Sequence, residues 1–276
     1  MADAPKNVTA ETLNKFPTYA WQPFTPRGVA AFATAPSWRA VILKIIVALV
    51  ASFTVVWFCR ANYFPSIYEA IKNLPDGAAL QNKILVHFPS GALTQRKFLS
   101  VIVDSAETGA IGQTADVQVE LRKTYFQICS IFGCGLFEYP EKNIALNRSS
   151  VEAWWGARQP VILVLIASVA GFTIWMTWIF LGLIYAPVAK LIAYFNDREL
   201  SWSGSWRLAS AVQMPGAILM CLTILFYGLQ TFDLIRFLFF FTIHFFVAWI
   251  YLFWAPFSLP PIKAAISPTQ NPFTPP

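Results

Sequence analysis

The chain has 276 residues, of which 57% are hydrophobic and only 12% charged, with a formal net charge of +6. A soluble domain carries about 25% charged residues, so a water-facing surface cannot be assembled, and a cytosolic enzyme, a disordered chain and a disulfide-rich secreted scaffold are excluded. The basic balance does not select nucleic acid, because 11 Trp, 25 Phe and long uncharged runs point to lipid.

Residues 1–38 form a polar, proline-rich tail. No cleavable leader is expected, so the apolar run that follows stays as an anchor. Thr25 as cap, Pro26 in the first turn and Pro36 as stop predict a short helix lying on the cytoplasmic leaflet. A bilayer core about 30 Å thick needs roughly 20 apolar residues in helix. Between Lys44 and Arg60 lie 15 uncharged residues, and extending back past Lys44, whose ammonium snorkels to the headgroups, gives a first span over 39–59.

Residues 60–158 carry 19 of the 34 charges, so water lies there. Ser66–Leu74 reads as a helix ended by Pro75-Asp76-Gly77. Ile84–Phe88, Phe98–Asp104, Ala115–Leu121, Thr124–Ile131 and Leu136–Tyr139 read as strands, with ADVQVEL alternating as a half-buried strand does. Pro89-Ser90-Gly91 reads as a turn, and Ser149 with Glu152 as a capping box opening the next helix. Cys129 and Cys134 are either joined across a hairpin or are two small buried residues, and the sequence leaves both open. Cys59 and Cys221 read as packing residues.

Three further uncharged stretches, of 31, 25 and 26 residues, follow Arg158, Arg207 and Arg236. They give spans at 160–186, 208–232 and 237–255, separated by a cytoplasmic loop at 187–207 and a short turn at 233–236. Trp38, Trp57, Trp154, Trp155, Trp202, Trp206 and Trp254 flank the spans as interface anchors. Pro215 is expected to kink the third span. A second proline-rich tail occupies 256–276, and Pro-Phe-Thr-Pro at 23–26 recurs at 272–275. The predicted fold is a membrane α-helical protein: four transmembrane helices with a small β-rich α+β extracytoplasmic domain inserted between helices 1 and 2. Four spans put both termini on one side. The Lys/Arg bias makes that side cytoplasmic, leaving 60–158 extracytoplasmic.

The layout, with ILVHFPSGALTQRKFLSVIVD and DVQVELRKTYFQI between the first span and a cluster of later ones, resembles bacterial polytopic membrane proteins grouped loosely with Yip1-like domains. The likeness rests on a strand–turn–strand pattern around Gly91, Leu93 and Asp104. It implies architecture and a bacterial inner-membrane location, and brings no catalytic residues with it.

No G-x-S-x-G, H-E-x-x-H or Walker loop occurs, and the chain is not expected to be an enzyme. The carboxylate pairs Asp104/Glu107 and Asp116/Glu120 read as surface charge, and Arg96-Lys97 and Arg122-Lys123 as solvated or near headgroups. His244 is the one ionisable residue deep in a span. Such a residue is a functional hypothesis by default: it could ligate a haem or chlorophyll-type pigment. Against this stands a hydrogen bond within the bundle. Folding about the 233–236 turn sets His244 level with Leu225, near Thr223 and Tyr227, with Ser168 a further partner. Gln213 and Gln230 are the other polar residues of the spans and the candidates for a transporter. The small-residue pairs Ala167/Gly171 and Gly182/Ala186 allow close helix contact. The leading reading is a non-enzymatic accessory subunit of a membrane protein assembly, or a sensor acting through its extracytoplasmic domain. Its partners are the lipid bilayer and other membrane subunits, with no nucleic acid. A pigment- or haem-bearing subunit comes second and a transporter third.

Overall fold

The computed structural model describes residues 23–105 and 112–262. Both proline-rich tail ends lie outside these residues, as do Glu107 and the second Pro-Phe-Thr-Pro. Four helical stretches are long and apolar enough to cross a membrane: Ser37–Lys72, Arg148–Phe195, Trp202–Gly228 and Leu234–Ser258. The chain divides into two units, one of Met1–Leu49, Phe172–Met220 and Phe240–Pro276, the other of Val50–Gly171 and Cys221–Phe239.

The first unit opens with α1 (Pro26–Ala31), where the Thr25 hydroxyl accepts from the Gly28 amide at 3.0 Å and Pro26 fills the first turn. The cap is as expected, and the helix packs into its unit. Val29, Ala30 and Phe32 are buried in the unit's core with Leu208, Val212 and Leu252. The Arg207 guanidinium holds the end of α1 by donating to the Ala33 carbonyl at 2.7 Å. Helix α2 (Ser37–Phe58) follows. Lys44 near its start is buried and stands 4.9 Å over the Trp206 ring. An indole face is a favourable partner for an ammonium.

The third apolar stretch is broken into α5 (Trp202–Ala211) and α6 (Met214–Gly228). Pro215 has no N–H to give to residue 211, so the ladder cannot run through. Ser201 caps α5 by accepting from the Gly204 amide at 3.1 Å. Helix α7 (Leu234–Trp254) ends in a 3₁₀ turn at Ala255–Ser258. Gly182 faces Ser210, whose hydroxyl stands 2.9 Å from where a Cβ would be, and a Cβ on Gly216 would stand 2.8 Å from the His244 carbonyl oxygen. These small residues let backbones approach.

In the second unit, α2 passes without interruption through a π-helical turn (Cys59–Tyr63) into α3 (Phe64–Lys72). The sequence separates these as a span ending at 59 and a helix at 66–74; the structure makes them one rod. Then come β1 (Ala79–Gln81), β2 (Ile84–Val86), β3 (Gly91–Gln95), β4 (Leu99–Asp104), β5 (Val117–Arg122), β6 (Tyr125–Ser130), β7 (Gly133–Glu138) and β8 (Ile144–Ala145). They form two sheets, ordered β2-β1-β8 and β3-β4-β5-β6-β7, with β4 and β5 parallel and every other pair antiparallel. Strand β3 begins at Gly91, where a turn was expected, and β1 and β8 were not foreseen.

Helix α3 is bound to the larger sheet by Asn73, which donates to the Leu93 carbonyl at 2.7 Å, and by Glu69, which accepts from Thr94 at 3.2 Å. Leu80, Leu85, Phe88, Leu93, Val103 and Tyr139 make the apolar core. Helix α4 (Arg148–Phe195) starts on an Asn147 cap, whose side chain accepts from the Ser150 amide at 3.0 Å. Asn147, two residues before Ser149, takes the place of the Ser149/Glu152 box. At 1.5 Å per residue α4 is about 70 Å long, more than twice the roughly 30 Å of a bilayer's hydrocarbon core. Its early turns dock Trp155 edge-on against Phe64 of α3, ring centroids 5.0 Å apart. Further along, a Cβ on Gly171 would stand 3.1 Å from the Ser52 hydroxyl of α2.

Candidate functional site

Parallel pairing of β4 with β5, and antiparallel pairing of β5 with β6, puts Ser100, Ile102 and Asp104 on one sheet face with Gln118, Glu120, Arg122, Gln127 and Cys129. That face is not in water. Glu120 is 0% exposed and Asp104 and Gln118 are each 1% exposed. Of the carboxylates read from the sequence as surface charge, Asp104 and Glu120 are buried, because their neighbours on the face complete them.

The Gln118 carbonyl oxygen accepts from the Thr114 amide at 2.8 Å and from its hydroxyl at 3.1 Å, while the Gln118 amide donates to Glu120 at 3.1 Å. The second Glu120 oxygen takes hydrogen bonds from Arg122, at 3.2 Å, and from Gln127. Arg122 also faces Asp104 at 3.9 Å. A continuous polar file thus runs along β5. Burial works against the Arg122 charge, but the Glu120 hydrogen bond and the surrounding carboxylates outweigh it and hold the guanidinium above its ordinary pKa. Tyr139, buried beside the file, donates to the Arg122 carbonyl at 3.0 Å, and burial raises its phenol above the usual value.

At its other end the file reaches the helices. Asp116, two residues before Gln118, accepts a hydrogen bond from the Tyr227 phenol in the last turn of α6. Tyr227 also stacks against Phe58, centroids 5.9 Å apart, and meets Phe98 edge-on at 5.1 Å. The Lys97 ammonium donates to the Phe232 carbonyl at 3.1 Å and stands 5.3 Å over the rings of Phe98 and Tyr227. Gly228 closes the arrangement. A Cβ there would stand 2.8 Å from Trp57, 2.9 Å from Phe58 and 3.0 Å from Asn62, so only glycine lets α6 lie against the π-turn. Asn62 donates to the Phe58 carbonyl at 3.2 Å inside that turn. A π-turn inside a helix is a common mark of a functional position.

The other polar residues singled out from the sequence do not gather. The His244 Nδ1 pairs with the Phe241 carbonyl of its own helix, and its ring lies against Phe241 and Phe245. Its level on α6 is Gly216 and not Leu225. The reversal is centred near Gln230 (φ 60°), because α6 stops at Gly228. Gln230 itself is exposed in that left-handed turn, outside any helix. Ser168 is exposed on α4, and Gln213, at the break before α6, donates to the Ala209 carbonyl at 3.2 Å. Thr223 is buried in α6. Tyr227 reaches across to another element, and its partner Asp116 is in the sheet domain. Cys129 and Cys134 are direct partners across β6 and β7 and are joined by a disulfide; Cys59 and Cys221 are unbonded.

Among the described residues no three of His, Cys, Asp or Glu stand together as metal ligands. In the first unit, a cavity of about 520 Å³ is lined by Thr34, Lys190, Arg198, Glu199 and Ser201 among others. Its two cations donate to the carbonyls of Leu200 and Leu259. No protein-family model, curated protein or solved structure matches the chain.

Proposed function

We propose that the chain is a non-enzymatic integral membrane protein of a bacterial inner membrane that acts as a sensing subunit of a membrane assembly. Residues 60–158 are extracytoplasmic in this reading and both termini cytoplasmic. The disulfide fits an oxidising compartment. Only 6% of the most apolar stretch of α4 is buried, which suits a helix covered by lipid or by other subunits.

The observation that carries the reading is the junction of Tyr227, Asp116, Lys97 and Phe98 at the π-turn. It fastens the polar file of the sheet to the end of α6. A ligand or subunit that shifts β5 therefore acts directly on helices suited to cross the bilayer.

Hydrogen exchange of the purified protein in mild detergent tests the coupling. Tyr227→Phe deletes the phenol's hydrogen bond to a charged acceptor, worth about 2 kcal/mol, or roughly 30-fold in opening. If the junction couples the parts, exchange accelerates in β4 and β5 as well as in the last turn of α6. A change confined to α6 would sink the transmission reading. The native mass of the particle tests the subunit reading: a larger assembly of fixed composition is expected, and a lone chain carrying only lipid would remove it. Labelling of intact cells with a membrane-impermeant amine reagent tests the orientation, with Lys83, Lys123 and Lys142 expected to react.

A further inference from the structure

The β6–β7 hairpin closes with two residues, Ile131 and Phe132, between the paired Ser130 and Gly133. Two-residue hairpin turns ordinarily use Asn, Asp or Gly, which accept the backbone geometry and suit water. Here Gly133, at φ 112°, takes the left-handed position, and the tip is given over to two large apolar side chains. Phe132 is 91% exposed, and Ile131 beside it is exposed as well. The disulfide sits one residue pair behind the tip and pins it.

Register fixes where this tip lies. Ser130 pairs with Val117, and Val117 with Leu99, so Ile131-Phe132 is at the same end of the sheet as Phe98 and Asp116. That end touches the helices, through Asp116 to Tyr227 and through Lys97 to Phe232. Strands are spaced about 4.8 Å apart, so the tip stands only about 5–10 Å to the side of β5, level with the last turn of α6 and the start of α7. In that zone a span passes from acyl chains to headgroups. We propose that Ile131 and Phe132 insert into the outer-leaflet interface of the bilayer, making the stapled hairpin a second lipid anchor for the extracytoplasmic domain.

This rests on the membrane reading above, and the test separates the two. Photoreactive benzoylphenylalanine replaces Phe132, Thr124 or Phe172, one at a time, in protein reconstituted into phosphatidylethanolamine–phosphatidylglycerol vesicles. Thr124 is exposed in the hairpin turn at the opposite end of the sheet, and Phe172 is exposed at the centre of α4. Lipid adducts are expected at 132 and 172, several-fold above those at 124. Adducts at 172 without adducts at 132 would overturn the anchor and leave the membrane reading standing. A cross-link from 132 to a second protein chain would overturn it equally, in favour of a protein interface. Absence of lipid adducts at all three sites would remove both.

Discussion

The two units are packed by opposite means. In the first, eleven of the twenty core residues are alanine. In the sheet domain's core two of eight are alanine, and the rest are mainly Leu, Phe, Val and Tyr. Large side chains withdraw much apolar area from water, which is how a domain in water is stabilised. Helices surrounded by lipid gain nothing from that exchange and associate through close backbone approach, which small residues permit. The composition of each core fits the proposed reading, with lipid around the first unit and water around the sheet domain. The sheet domain departs from its own logic once, on the face that buries Glu120, Asp104 and Arg122.

That departure supplies the largest expected effect. Glu120→Ala removes the acceptor shared by Arg122, Gln127 and Gln118, and leaves a half-buried guanidinium beside a single carboxylate. Breaking a buried pair in this way costs about 3–5 kcal/mol. Loss of the sheet signal in circular dichroism at room temperature, with helical signal retained, is the expected result. An unchanged spectrum and melting point would show the file to be incidental.

The contrast between cores is sharpened by substitutions in opposite directions. Leu85→Ala should destabilise the sheet domain by about 2–5 kcal/mol through a cavity. Ala189→Leu, at a position with no exposure in the alanine core, should cost about 1–3 kcal/mol through overpacking. Denaturant midpoints of the two variants measure both. If Ala189→Leu were neutral, the helices would not be in the contact described. Smaller again is the disulfide. Cys129→Ser with Cys134→Ser opens a loop of only a few residues, and should cost about 2 kcal/mol, read as a lowered melting temperature of the sheet domain alone.

The smallest effect is a pH dependence. Burial raises the Tyr139 phenol, so the folded domain keeps it neutral while the unfolded chain ionises it near pH 10. Its stabilising share is complete below about pH 10 and is lost as pH climbs from there toward the folded value. Tyr139→Phe should flatten the alkaline limb of a stability–pH curve, and an unaltered limb would assign it to another group.

Much of this was legible in the sequence. The charge gaps locate the four apolar helices because a long run without charge has few other uses. Strands β2, β4, β5 and β6 follow from β-branched and alternating runs such as LSVIVD and VQVEL. Hidden was the fate of the polar half of that alternation. Period-two patterning assigns Gln118, Glu120 and Arg122 to water, and only the pairing of β5 with β4 and β6 brings them to Asp104 and Gln127. A signal was available in the opposite charges of Asp104, Glu120 and Arg122 at matching periods on predicted strands, but it needs the register to be read. Tyr227 was named for the wrong partner for a similar reason. The charges at 233–236 predict the turn there, whereas α6 ends earlier, at Gly228, and the phenol reaches Asp116 instead of His244.

The π-turn at Cys59–Tyr63 has a rotational consequence. An α-helix advances 100° per residue, and a π-turn holds one residue more than the α-turn it replaces. Every side chain after it is therefore out of step, by about 100°, with the stripe that α2 would have continued. That offset sets the azimuth at which α3 presents Ala70 and Ile71 to its neighbours. Removing one residue there would restore a regular helix and swing the sheet domain about the rod's axis, taking Asp116 out of reach of Tyr227. The turn is the angular setting of the whole domain, fixed by five residues.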